Sequence, residues 1–72
     1  MSTKKEAFLG GFDGDYTAVH VEMQYPGFPE PEIIYNEKAN FQKKRNYYAN
    51  VLNDDLGLKR SPNVKIVKYV FE

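Results

Sequence analysis

The clearest pattern in the chain is an alternation of apolar and polar positions between residues 16 and 25. One set of alternate positions holds Thr17, Val19, Val21, Met23 and Tyr25, and the other holds Tyr16, Ala18, His20, Glu22 and Gln24. Because successive side chains of a strand point to opposite faces of the sheet, the pattern predicts a strand with one buried and one solvated face.

The segment before this strand predicts a pairing partner for it. Residues 6–12 mix aromatic side chains with two glycines, and Asp13-Gly14 is a dipeptide that suits a type I′ hairpin turn. We therefore expect a β-hairpin made of residues 6–12 and 16–25. Residues 1–5 are expected to form a flexible N-terminal tail.

A proline-rich loop and a helix are predicted next. Three prolines between residues 26 and 31 end the strand, because they remove backbone donors from the ladder. Residues 33–35 fit either a brief edge strand or an apolar lead-in to a helix. Asn36 is a suitable N-cap, and the periodicity from there to about residue 53 is helical. Phe41, Tyr48 and Leu52 fall on one stripe of that helix, which is expected to cover the sheet.

The last segment, residues 64–71, is apolar on both faces apart from Lys65 and Lys68, which predicts a central or tightly paired strand. The fold class is therefore α+β: a β-hairpin, one amphipathic helix and a C-terminal strand in ββαβ order, with the helix on a three-stranded, mainly antiparallel sheet. The last strand either docks beside residues 6–12, which gives the fully antiparallel order 2-1-3 that we prefer, or beside residues 16–25, in which case that pair is parallel.

Length and composition limit the remaining possibilities. Seventy-two residues allow one domain, 1–72, and the chain contains no Cys. No stretch approaches the roughly 18 apolar residues of a membrane span, so a cytoplasmic location is the default expectation. Net charge is zero, yet residues 1–37 carry seven acids and two bases (−5) while residues 38–72 carry eight bases and three acids (+5). The halves either neutralise each other in the fold or leave a bipolar surface.

The sequence contains no recognisable catalytic or metal-binding motif. A single His and no Cys cannot complete a usual zinc site, and Asp13-Gly14-Asp15 lacks the further oxygen ligands of a calcium loop. Glu30 and Glu32 lack the apolar surroundings that separate the pKa values of paired carboxyl groups. We expect no enzymatic activity, no cofactor and no metal.

Several exposed positions are candidates for partner binding. Lys43, Asn46, Tyr47 and Asn50 share the outward face of the predicted helix, where cation, amide and aromatic groups can contact a protein or stack on bases. A solvated helix face is the simpler interpretation. Secondary candidates are His20 with Glu22, two residues apart on the polar strand face, and Phe28, which lies within a P-x-x-P spacing typical of polyproline ligands.

One resemblance adds to these patterns. Residues 34–41, Tyr47-Tyr48 and residues 53–56 resemble segments of small uncharacterised proteins from low-GC Gram-positive bacteria and their phages. The resemblance covers about half of the chain. It implies a protein that acts by binding, as regulators or inhibitors of host proteins do.

We therefore predict a small non-enzymatic protein-binding or regulatory domain, with self-association as a homodimer as one form of that binding. Tyr and Phe make up 15% of the chain, more than one helix on a small sheet can easily bury. The alternative is weak binding of single-stranded nucleic acid by the basic C-terminal half, with Tyr47 and Tyr69 as stacking surfaces.

Overall fold

A computed structural model describes residues 3–72, which form two α-helices and one three-stranded sheet. Helix α1 spans Lys4–Gly11, strand β1 Ala18–Gln24, strand β2 Glu32–Glu37, helix α2 Phe41–Val51 and strand β3 Lys65–Phe71. A single 3-10 turn, Lys38–Asn40, links β2 to α2. Among these residues, no helix is long and apolar enough to cross a membrane.

The sheet confirms the α+β class and the ββαβ order of the chain from residue 18 onward. Its strand order is β2-β1-β3 and both pairs are antiparallel, so β1 is central and β3 is an edge strand. Of the two expectations for the last strand, central or tightly paired, the second holds, because β3 pairs with β1 along its length but lies at the edge. The preferred docking beside residues 6–12 is wrong, because residues 4–11 form helix α1 and β3 pairs instead with residues 19–24, in antiparallel and not parallel orientation. Two of its apolar side chains, Val67 at the irregularity in the register and Val70, are exposed to solvent.

The N-terminal segment is a helix and not the first arm of a hairpin. Thr3 accepts a hydrogen bond from the Glu6 backbone N–H, and Glu6 accepts one from Thr3 N–H, which is a capping box. Phe8 on this helix is fully buried against the sheet, so tertiary packing offsets the low helix propensity of Gly10 and Gly11. The hairpin consists of β1 and β2, joined by the proline loop.

This helix also corrects the predicted N-terminal tail of residues 1–5. Thr3 is its N-cap, and Lys4 and Lys5 form its first turn. Residues 1 and 2 lie outside the described part of the chain. Asp13 and Gly14 form the turn that ends α1, since their N–H groups donate to the carbonyls of Gly10 and Gly11.

Residues 33–35 form an edge strand, the first of the two alternatives. Ile34 pairs with Val21 and Asn36 with Val19, and Lys38 N–H donates to Thr17 O at 2.8 Å just beyond the strand. Asn36 is therefore a buried strand residue and not a helix N-cap, because pairing with β1 continues through it. Helix α2 consequently starts at Phe41, later than predicted, and it ends at Val51.

The core lies between the two helices and one face of the sheet. The predicted stripe of α2 is buried, with Tyr48 only 1% exposed, and the ring centroids of Tyr48 and Phe8 are 5.2 Å apart. Val19 and Val21 of β1 are fully buried beneath these aromatic rings. Burial raises the pKa of Tyr48 to about 12.

A compact turn folds the chain back onto the end of α2. The Asn53 side-chain oxygen accepts hydrogen bonds from the N–H groups of Asp55 at 3.1 Å and Gly57 at 3.0 Å. Leu56 takes a left-handed backbone conformation with φ of 72°. The returning chain then donates the Lys59 N–H to Val51 O at 2.8 Å, which places Lys59 beside the helix.

Candidate partner-binding surfaces

The sheet has a face that neither helix covers. We call it the open face. It is defined by three exposed apolar residues, Ile33 and Tyr35 on β2 and Val70 on β3, together with the residues of β1 that lie between them. Cross-strand register places His20 between Tyr35 and Val70, and Glu22 between Ile33 and Lys68. Ile33 is 66% exposed, Tyr35 52% and Val70 45%.

His20 occupies the middle of the open face. Its ring lies against Tyr35, with centroids 4.8 Å apart, and its Nε2 contacts the Glu72 carboxylate. The carboxylate that contacts His20 is thus that of Glu72, just beyond the end of the neighbouring strand, and not that of Glu22. His20 and Glu22 share the open face as predicted, but they occupy different rows of it.

The outward face of α2 holds the primary candidate residues. Lys43, Asn46, Tyr47 and Asn50 are all exposed, Tyr47 to 51%. Tyr47 is held in place by its inward neighbour, because its ring packs edge-on against Tyr48 with centroids 5.3 Å apart. The Lys44 ammonium lies 5.3 Å from the Tyr47 ring centroid, in cation–π range.

Only part of this helix face contributes to a concave site. Tyr47 and Asn50 border an open cavity of about 520 Å³, whereas Asn46 lies at a different depression beside Arg45. The remaining residues around the Tyr47 cavity are Val51, Leu58, Lys59 and Arg60. We call this the basic cavity.

Sequence reasoning missed Lys59 and Arg60 as members of a site. They follow the helix in a loop, and no local pattern indicates that this loop returns to α2. The return depends on the Asn53 hydrogen bonds and on the left-handed Leu56. Tyr69, the second residue predicted as a stacking surface, is half-buried, and its ring packs on Phe8 with centroids 4.8 Å apart.

The proline loop presents Phe28 to solvent. Gln24 Nε2 donates to the Phe28 carbonyl at 2.8 Å, and the Phe28 ring lies 6.3 Å from Tyr25. Phe28 and Tyr25 border a depression together with Glu30, Pro31 and Glu32. Burial and the nearby Glu32 carboxylate raise the pKa of Tyr25, because both disfavour the phenolate.

The two oppositely charged halves of the chain neutralise each other only in part. Two bases of the C-terminal half pair with acids of the N-terminal half: Lys38 with Asp15 at 3.6 Å and Arg45 with Asp13 at 3.2 Å. Lys65 pairs with Asp55 within the C-terminal half. Across residues 3–72, Lys43, Lys44, Lys59 and Arg60 have no carboxylate within ion-pair distance.

Within residues 3–72, no group of three or more acidic or imidazole side chains is placed to hold a metal ion. Comparisons of the chain with protein-family models, with curated proteins and with solved structures find no match.

Proposed function

We propose that the protein is a small non-enzymatic binding domain that acts in the cytoplasm and recognises a protein partner, or a second copy of itself, through the open face. The observation that carries this proposal is the exposure of Ile33, Tyr35 and Val70 on one face of the sheet. Outward positions of a sheet with one solvated face are ordinarily polar. Here the apolar groups lie on two of the three strands.

The polar groups of the open face suit a protein interface. Protein interfaces are enriched in Tyr, and they carry about one hydrogen bond per 100–200 Å² beside their apolar contacts. His20 and Glu22 lie at the centre strand, where they offer hydrogen-bonding groups between the apolar side chains of the outer strands. The outward face of α2 offers one large exposed apolar side chain, Tyr47, so the open face is favoured over it.

The test removes the apolar character of the open face without touching the core. The variant Tyr35→Lys/Val70→Lys is compared with Ala39→Lys/Gln42→Lys, which adds the same two charges at exposed positions elsewhere. Sedimentation velocity measures self-association, and immobilised protein captures partners from lysate of the native host.

We expect the wild type and the control variant to self-associate or to retain the same partner, and the open-face variant to lose that interaction. Far-UV circular dichroism establishes that each variant is folded. A strictly monomeric wild type that retains no protein, or retention that the open-face substitutions leave unchanged, contradicts the proposal.

A further inference from the structure

The basic cavity combines the chemical groups that single-stranded nucleic acids require. Binding without sequence preference uses cations that follow the phosphates and aromatic rings on which bases stack. Lys59 and Arg60 line the cavity with cations, and Tyr47 lines it with a half-exposed ring. These three residues come from separate segments, α2 and the returning loop.

The positive charge at this cavity is not neutralised within the described chain. Lys38, Arg45 and Lys65 each lie within 4.0 Å of an Asp carboxylate, whereas Lys59 and Arg60 do not. An anion therefore gains two cations there without first displacing an internal partner. A net charge of zero for the whole chain does not oppose this, because counterion release depends on the local contacts.

The apolar and amide groups of the cavity add a further requirement on the ligand. Val51 and Leu58 line it beside Tyr47, so the ligand needs a flat apolar part as well as negative charge. Asn50 offers both a donor and an acceptor to the edge of a ring. A nucleotide has this combination, while an acidic peptide supplies the charge without the planar ring.

Cationic side chains continue beyond the cavity, which favours a nucleic-acid strand over a free nucleotide as the ligand. Lys44 lies over the Tyr47 ring, and Lys43, one residue before Lys44, lies on the exposed face of α2. We propose that the basic cavity binds single-stranded nucleic acid, with one base stacked on Tyr47 and the adjoining phosphates held by Lys59 and Arg60. This site is separate from the open face and does not depend on the function proposed for it.

Fluorescence anisotropy of a labelled oligothymidylate tests the assignment. With the two phosphates at Lys59 and Arg60 neutralised, the affinity falls at least about sevenfold between about 50 and about 200 mM salt. The variant Lys59→Gln/Arg60→Gln removes this share of the salt dependence and most of the binding, and the remaining dependence comes from Lys43 and Lys44. The matched control, Lys4→Gln/Lys5→Gln, removes two positive charges at the start of α1 and leaves both unchanged.

Tyr47→Leu separates stacking from charge alone. It keeps an apolar side chain and every cation, and it lowers the affinity at least about fivefold if a base stacks there. Competition with polyglutamate and with thymidine monophosphate identifies the ligand class, and we expect neither to displace the oligonucleotide at equal charge concentration.

Absence of binding at about 50 mM salt overturns the proposal, since counterion release is then at its most favourable. So does a Tyr47→Leu variant of wild-type affinity, or equal losses in the cavity variant and its control. Effective competition by polyglutamate assigns the cavity to acidic proteins instead, and effective competition by the monophosphate assigns it to free nucleotides. The variants alter exposed side chains, apart from the half-buried Lys5, and circular dichroism establishes that each variant is folded.

Discussion

The two faces of the sheet use the same central strand for different purposes. Val19 and Val21 on the covered face of β1 are fully buried beneath α1 and α2. On the open face, the intervening His20 lies between the exposed side chains of Tyr35 and Val70. Apolar residues on the covered face stabilise the fold, whereas those on the open face remain available for contact with another molecule.

The difference between the faces shows why aromatic content alone does not predict how much surface remains exposed. A second helix, α1, adds Phe8 and Phe12 to the core, and the latter packs edge-on against Phe41 at 5.3 Å. The fold therefore buries more aromatic groups than one helix on a sheet could. Tyr35 stays exposed even so, because both helices lie on the opposite face.

The largest expected effect contrasts adjacent residues of α2. Tyr48→Ala should reduce the free energy of unfolding by about 3 to 5 kcal/mol, because it removes a buried ring from the covered face. Tyr47→Ala should change it by about 0.5 kcal/mol or less, as expected for a half-exposed side chain. Urea denaturation of both variants measures the two losses.

Circular dichroism before denaturation shows whether Tyr48→Ala folds at all, since its loss approaches the whole stability of a small domain. Equal losses in the two variants contradict the assignment of the α2 faces. A larger loss at Tyr47 shows that the faces are reversed.

Alkaline pH tests the burial of the same residue without truncating it. The folded state raises the pKa of Tyr48 from 10.0 to about 12, so it holds the phenolic proton more tightly than the unfolded chain does. The resulting stability is fully present below pH 10 and is lost as pH rises through 12, a decrease of about 2 to 3 kcal/mol. Tyr48→Phe should remove this part of the decrease. An identical pH profile in wild type and variant contradicts the burial of the hydroxyl.

Two neighbouring glycines of α1 test how closely this helix approaches the sheet. A Cβ atom at Gly11 overlaps the Phe71 ring, whereas one at Gly10 has no neighbour within 4 Å. Gly11→Ala should therefore destabilise by about 1 to 3 kcal/mol through overpacking. Gly10→Ala should stabilise by about 0.5 to 1 kcal/mol, because Ala favours the helix. Thermal denaturation of the two variants measures the direction of both stability changes. Stabilisation by both substitutions contradicts the close contact with Phe71.

Sequence reasoning predicted the elements whose own pattern decides their structure. The alternation around Val19 and Val21 predicted β1, and the Phe41–Tyr48–Leu52 stripe predicted the buried face of α2. The prolines predicted the loop before β2. In each case, local periodicity and tertiary packing favour the same conformation.

The errors come from positions where local pattern and tertiary context disagree. Gly10 and Gly11 weaken the helical pattern of α1, and only the Thr3–Glu6 capping box signalled its start. Asn36 suits a helix N-cap locally, yet pairing with Val19 holds it in β2. Of the proposed surface residues, Tyr47 and Asn50 lie at the basic cavity, while its two cations depend on a turn that no short pattern predicts.

The smallest expected effect concerns the open face itself. Ile33→Thr retains a β-branched side chain and shortens an exposed one, so it should change the free energy of unfolding by about 0.5 kcal/mol or less. Val21→Thr places a hydroxyl in the fully buried centre of β1 and should cost about 1 to 3 kcal/mol unless the hydroxyl gains a partner. Urea denaturation of the monomer at low protein concentration measures both values. A large loss for Ile33→Thr shows that another part of the protein, or a second copy, already covers the open face. If this loss grows with protein concentration, self-association is its cause.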